Sequence, residues 1–142
     1  MNMSLRCLVV GLLLLSGNAL AANYTLPSAT FAPCQGTWTP GSNTCSGQIS
    51  FASGDTLTSS SALTLNADGG FALRGNTIGT ASNPITLQAS YNQITTIAPH
   101  SATTINGNVR NGSAAISLTN VTINGFIETA SGSVTLTNSS VT

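Results

Sequence analysis

Thr103 to Asn120 (TTINGNVRNGSAAISLTN) and Val121 to Asn138 (VTINGFIETASGSVTLTN) lie end to end, and eight of their 18 aligned positions are identical. The differences keep residue type: Val109 falls on Ile127, Ile116 on Val134 and Ser117 on Thr135. A fixed internal period is the signature of a repeat architecture. A shorter pattern extends it upstream through Leu63-Thr-Leu-Asn-Ala67, Ile85-Thr-Leu-Gln-Ala89, Thr103-Thr-Ile-Asn-Gly107 and Val121-Thr-Ile-Asn-Gly125. The last two steps of that series equal the period, and the first is slightly longer. Ser139-Ser-Val-Thr142 reads as the start of a fifth copy. Each copy alternates like a strand with one buried face and ends in Asn or Gln before a small residue that permits a sharp turn. A second strand per repeat is visible at Phe71-Ala-Leu73, Ile116-Ser-Leu118 and Val134-Thr-Leu136.

Identical turn residues one period apart are expected when equivalent positions stack directly on one another, because each rung must repeat its neighbour's geometry. The expected fold is therefore all-β, a single-stranded β-helix (β-solenoid) with rungs of about 18 residues. In that stacking Ile105, Ile123 and Val141 form an inward apolar column, as do Leu118 and Leu136. Asn106 over Asn124, and Asn120 over Asn138, form side-chain amide ladders of the kind tightly stacked strands use. Arg110 falls over Glu128, a pair worth well under about 1 kcal/mol when exposed, so it checks the register without explaining stability. An immunoglobulin-like sandwich is the alternative all-β fold, but it does not require the 18-residue identity, and Cys34 and Cys45 are too close in sequence for its sheet-to-sheet bridge. The period suits three hexapeptide-like sides of a left-handed coil or a compact right-handed one.

The first residues read as an export signal. Arg6 precedes an apolar run from Leu8 to Leu15, and Ala19-Leu20-Ala21 gives a small-x-small pattern, so cleavage is expected after Ala21. The run falls short of the roughly 20 residues a bilayer span needs, so no membrane insertion is expected after cleavage. Cys7 precedes the apolar run, whereas a lipid-modified cysteine sits at the cleavage point, and it reads as a stray thiol of the signal. Removing the signal leaves Cys34 and Cys45, which in an oxidising compartment read most simply as a disulfide. It closes a short loop holding Trp38, Pro40 and Gly41, and on the loop-entropy estimate stabilises by about 3 kcal/mol. A metal or redox pair has little behind it: the spacing is not CxxC and His100 is the only histidine.

The expected organisation is a signal peptide over 1–21, an N-terminal cap with the disulfide loop over 22–54, and solenoid repeats over 55–142. A cap is needed because a bare first rung would expose apolar interior and unpaired strand groups, and Phe31, Trp38 and the disulfide loop suit that task. Thr142 stops partway into a recognisable strand. The expectation is that the natural protein continues, or that the open solenoid end self-associates.

Composition narrows the function. The chain holds three arginines, three acidic residues and no lysine. Such a balance gives no electrostatic footprint for nucleic acid or anionic lipid. Ser, Thr, Asn and Gly replace charge, and regularly spaced Ile, Leu and Val favour order over disorder. Polysaccharide-cleaving β-helices use clustered carboxylates for acid/base work, whereas Asp55, Asp68 and Glu128 occupy unrelated positions in the stacking. Asp55 and Asp68 sit beside glycines as ordinary turn residues, and His100 follows Pro99 in a loop-like stretch, with no positioned nucleophile. No catalytic, cofactor or metal residues are expected. A carbohydrate-binding module using Trp38, Tyr24 or Tyr91 is the second reading, and a polysaccharide-active enzyme the third.

The stretch Tyr24 to Gly41 (YTLPSATFAPCQGTWTPG), then Cys45, Ser46-Gly-Gln-Ile-Ser-Phe51 and the repeated TING units, resembles the N-terminal region of MshQ-like proteins. That family is associated with biogenesis of the mannose-sensitive haemagglutinin (MSHA) type IV pilus of Gram-negative bacteria. The resemblance covers essentially all of the chain after the signal. It implies a structural segment of an exported cell-surface or pilus-biogenesis protein, with pilus or cell-envelope proteins as partners, in the periplasm, on the outer membrane or outside the cell. Longer members carry a lectin-like domain, which this chain does not reach. The TING rungs are also similar to those of bactofilins, cytoplasmic polymer-forming β-helices without a signal peptide.

Overall fold

In the computed structural model, which describes residues 20–142, the chain is all-β apart from one 3-10 turn at Pro40–Ser42. The expected signal segment therefore lies outside the described residues, except for Leu20 and Ala21. The first turn of the coil carries β1 (Asn23–Leu26), β2 (Trp38–Thr39), β3 (Thr44–Cys45) and β4 (Ile49–Ser50). The next carries β5 (Thr56–Ser59), β6 (Leu63–Ala67) and β7 (Phe71–Leu73), followed by β8 (Thr77–Ile78), β9 (Ile85–Ala89) and β10 (Ile94–Thr96). Then come β11 (Thr103–Asn106), β12 (Val109–Asn111) and β13 (Ile116–Thr119), and after them β14 (Val121–Asn124), β15 (Ile127–Thr129) and β16 (Val134–Thr137). β17 (Ser140–Val141) starts another turn.

These strands stack into three sheets: β1-β5-β8-β11-β14-β17 (first), β2-β3-β6-β9-β12-β15 (second) and β4-β7-β10-β13-β16 (third). Every pairing between successive turns of the coil is parallel; β2 and β3, within the first turn, are antiparallel. The chain is a β-solenoid with three strands per rung, one more than the two that alternation makes visible in the sequence.

Each sheet sends a long apolar column into the axis. On the first sheet Leu57, Ile78, Ile105, Ile123 and Val141 are in register; on the second, Leu65, Leu87, Val109 and Ile127; on the third, Ile49, Phe71, Ile94, Ile116 and Val134. The interior members are fully buried, and a buried Leu or Ile contributes about 1.5–3 kcal/mol. At the last turn the inward expectation fails in part: Val141 and Leu136 share columns with Ile123 and Leu118 but are 41% and 38% exposed. They have a stacked neighbour on one side only, so half of each side chain's cover is missing.

The 18-residue period is confined to the last turns, and the earlier ones are longer. Along the second sheet Cys45, Ala67, Ala89 and Asn111 are evenly spaced, and only the final step, to Thr129, shortens to that period. On the first sheet the steps from Leu57 through Ile78 and Ile105 to Ile123 are unequal, and the middle one is the longest. The surplus sits in corners such as 79–84 and 97–102. Extra residues there leave the column register intact, and loop-closure entropy grows slowly with length.

Strand pairing corrects the upstream extension of the motif. Leu63–Ala67 pairs with Ile85–Ala89, which pairs in turn with Val109–Asn111 on the second sheet, whereas Thr103–Asn106 and Val121–Asn124 belong to the first. Apolar-polar alternation marks a strand with one buried face but does not record which sheet it joins.

At the N-terminal end, Cys34 and Cys45 form the expected disulfide, with Cα atoms 5.7 Å apart. Segment 22–54 contributes strands to all three sheets as well as a lid. Phe31 lies 5.7 Å from Tyr24, 5.0 Å from Trp38 and 6.1 Å from Phe51 between ring centroids, and the Trp38 indole N–H donates to Ser28 O at 2.9 Å. Aromatic rings cover the first rung's interior, and the indole finds the partner a half-buried Trp needs.

The columns and the corners respond differently to substitution. Ile105→Ala is expected to lose about 2–5 kcal/mol in denaturant unfolding, and Val141→Ala less than about 1 kcal/mol, because only the first leaves an enclosed cavity. Gly70 has φ +80° and a Cβ there would lie 2.2 Å from Gln93 O, whereas one on Gly41 would meet nothing within 4 Å. Gly70→Ala should cost about 1–3 kcal/mol from backbone strain and crowding, and Gly41→Ala less than about 0.5 kcal/mol.

Candidate functional surfaces

The corner between the third and first sheets repeats one backbone conformation. Gly54, Gly75, His100, Asn120 and Asn138 all have positive φ, from 47° to 79°. This left-handed region is open to Gly and tolerated by Asn and His better than by most residues. Asn120 and Asn138 are thus held by backbone geometry and do not form the expected amide ladder. The Asn120 side-chain amide instead donates to His100 O at 2.7 Å. The other ladder is present: Asn124 Nδ2 donates to Asn106 Oδ1 at 2.8 Å. The glycines of the TING units have their own reason, since a Cβ on Gly125 would lie 2.4 Å from Gly107 O of the neighbouring rung.

The same third-to-first corner holds a buried polar pair that the sequence does not distinguish from ordinary turn residues. Asp55 and Asn76, each 1% exposed, follow the left-handed Gly54 and Gly75. Asp55 Oδ2 accepts from Ala52 N at 2.7 Å and Oδ1 from Ala22 N at 2.8 Å; Asn76 Nδ2 donates to Ala52 O at 2.8 Å. The recurrence of Gly-Asx at Gly54-Asp55 and Gly75-Asn76 is the one sequence signal for it. Burial first, and Asp55's charge second, push the Tyr24 phenol above its ordinary pKa.

The three outer faces differ. Arg74 on the third sheet folds back, donating to Ser50 Oγ at 2.9 Å and Phe51 O at 3.1 Å. On the second sheet Asn66, Gln88, Arg110 and Glu128 stack in one outward column. Arg110 Nε lies 3.2 Å from a Glu128 carboxylate oxygen, as the register expectation required, and its guanidinium sits 4.9 Å from the Phe126 ring centroid. These groups border a shallow cavity of about 250 Å³ with Gln88, Asn111 and Ala130. A larger groove of about 470 Å³ follows the corner of the first and second sheets, lined by uncharged residues including Leu63, Thr64, Pro84, Thr86 and Asn108. The first sheet's face is uncharged: Asn23, Thr56, Thr77, Thr104, Thr122 and Ser140 stack outward in one column.

The groups considered for chemistry do not converge. Asp55 is buried at the third-to-first corner, Asp68 is exposed at the opposite turn between the second and third sheets, and Glu128 faces outward beside Arg110. His100 is partly buried, its Nδ1 3.3 Å from Thr96 Oγ1. Trp38 belongs to the aromatic lid, and Tyr91, 80% exposed, stands apart from it. Among the described residues no three His, Cys, Asp or Glu side chains group to hold a metal, and no helix is long and apolar enough to cross a membrane. No family model, curated protein or solved structure matches the chain.

Arg110 and Glu128 are 44% and 62% exposed, so their attraction is largely screened. A double-mutant cycle with Arg110→Ala and Glu128→Ala should give a coupling of about 0.2–1 kcal/mol that fades in 1 M salt, where the screening length falls to roughly 3 Å.

Proposed function

We propose that this chain is a non-catalytic structural segment of an exported protein of the Gram-negative cell surface, of the MSHA-type pilus-biogenesis or adhesion class its sequence resembles. The observation that carries this reading is the continuous parallel register of the first sheet from Asn23 to Val141. With five intervals between the six strands of the first sheet, at about 4.8 Å each, the stack is a rod roughly 24 Å long. Nearest-neighbour stacking makes such a rod extensible by whole rungs, which suits spacing or projecting what it is joined to. The disulfide supports an oxidising destination, in the periplasm, at the outer membrane or beyond it. The scattered carboxylates support a role that does not use acid/base chemistry. Partners on this reading are pilus or cell-envelope proteins, with neither nucleic acid nor membrane insertion.

Deleting Val121–Asn138, one whole 18-residue period, is expected to leave a folded, exported and shorter rod, because Ser139-Ser-Val-Thr142 then follows Asn120 in the register Val121 held. Deleting half of that span should abolish cooperative unfolding. Hydrolysis of a polysaccharide panel, or selective glycan-array binding by the chain from Ala22, would overturn the scaffold reading in favour of an enzyme or a carbohydrate-binding module.

A further inference from the structure

We infer that Asp55 is the receptor for the α-ammonium group of Ala22, created when the chain is cut between Ala21 and Ala22. The inference rests on the export reading above, and deepens it by giving the cut end a place in the fold.

Asp55 is 1% exposed, and its two carboxylate oxygens accept hydrogen bonds from Ala22 N at 2.8 Å and Ala52 N at 2.7 Å. In the uncut chain both donors are neutral amides. A buried carboxylate is costly unless a cation and further hydrogen bonds offset its lost hydration. Among the described residues the one salt bridge joins Arg110 to Glu128, so no described side chain supplies Asp55 with that cation.

The missing charge is supplied at the atom that already touches Asp55. Hydrolysis of the Ala21–Ala22 amide by a signal peptidase consumes one water. The C–N bond breaks, the water oxygen bonds the Ala21 carbonyl carbon, and the proton released by the new carboxyl ends on the Ala22 amine. The products are a carboxylate on Ala21 and an ammonium on Ala22, with three N–H donors where the amide had one. Charge-assisted hydrogen bonds are roughly twice as strong as neutral ones. Of the described residues before the cut, Ala21 is exposed and Leu20 is 91% exposed, so neither is packed into the fold. Downstream, Ala22 O accepts from Thr56 N at 2.9 Å, and Asn23 opposite Thr56 begins the pairing of β1 with β5. The ion pair therefore pins the first strand to the second rung at the point where the chain enters the fold.

The test compares chains beginning at Ala22 with a free or an acetylated amine, each with Asp55 or Asp55→Asn. Acetylation should lower the thermal midpoint by about 4–8 °C in the Asp55 chain and far less in the Asp55→Asn chain. Equal losses in both backgrounds would sink the pairing. Should Asp55→Asn not fold, amine labelling decides the matter: with no lysine in the sequence, the Ala22 amine is the sole primary amine of the cut chain. Acylation at least tenfold slower in the folded than in the unfolded chain supports the pair, and equal rates overturn it. Intact mass of the protein recovered after export from a Gram-negative host separates the two failures. A chain starting at Ala22 supports the cut, and any other first residue, or no export, removes the reading on which the pairing rests.

Discussion

Stacking of each strand's backbone on the equivalent strand of the next rung is the constraint from which the other features derive. A parallel strand two to five residues long cannot bury its polar groups alone, and in this chain the strands are that short. Each becomes stable because the rungs before and after supply its hydrogen-bond partners along the axis, while the inward columns supply the apolar contacts. The stack consequently tolerates corners of different length but not displacement of a column residue. The long corner between Ile78 and Ile85 leaves Ile78 opposite Ile105 and Leu87 opposite Val109.

The same constraint explains which corners the chain can make. Where the path turns from the third sheet to the first, the backbone enters the left-handed region in every turn of the coil, using Gly early and His or Asn later. Where it turns from the first to the second, a carbonyl of the neighbouring rung passes so close to Gly107 and Gly125 that no side chain fits. The recurrence of Asn and Gly in the repeat thus has two causes. One residue type supplies a torsion angle, and the other leaves room for an adjacent chain.

Much of the core is legible in the sequence because the last two full periods are equal in length. Ile105 over Ile123, Leu118 over Leu136 and Arg110 over Glu128 can be read by alignment alone, and Cys34 with Cys45 by elimination. The third strand of each rung is not legible, since Val109-Arg-Asn111 and Ile127-Glu-Thr129 each carry one apolar residue and give no alternation to detect. Upstream the motif slips to the wrong sheet at Ile85, where unequal corners hide the true step. Asp55 escapes for another reason: a carboxylate after glycine looks like a turn residue, and only the path of Ala22 and Ala52 around it shows that it is buried.

Stacking also accounts for the scarcity of charge. Equivalent positions repeat at about 4.8 Å along the axis, so a charged residue retained through the repeat would face its own kind. At that separation two like charges repel by roughly 1 kcal/mol in water and several times more near a protein surface, and the penalty recurs at every rung. Hydroxyl and amide side chains escape it because they both donate and accept, as Asn124 does toward Asn106. Opposite charges escape it too, which is how Arg110 and Glu128 share one column. A chain built this way gains cohesion from self-complementary neutral groups, and several of its few ionised side chains have a local reason: Arg74 folded onto the backbone, Arg110 against Glu128, and Asp55 enclosed where the chain begins its first strand.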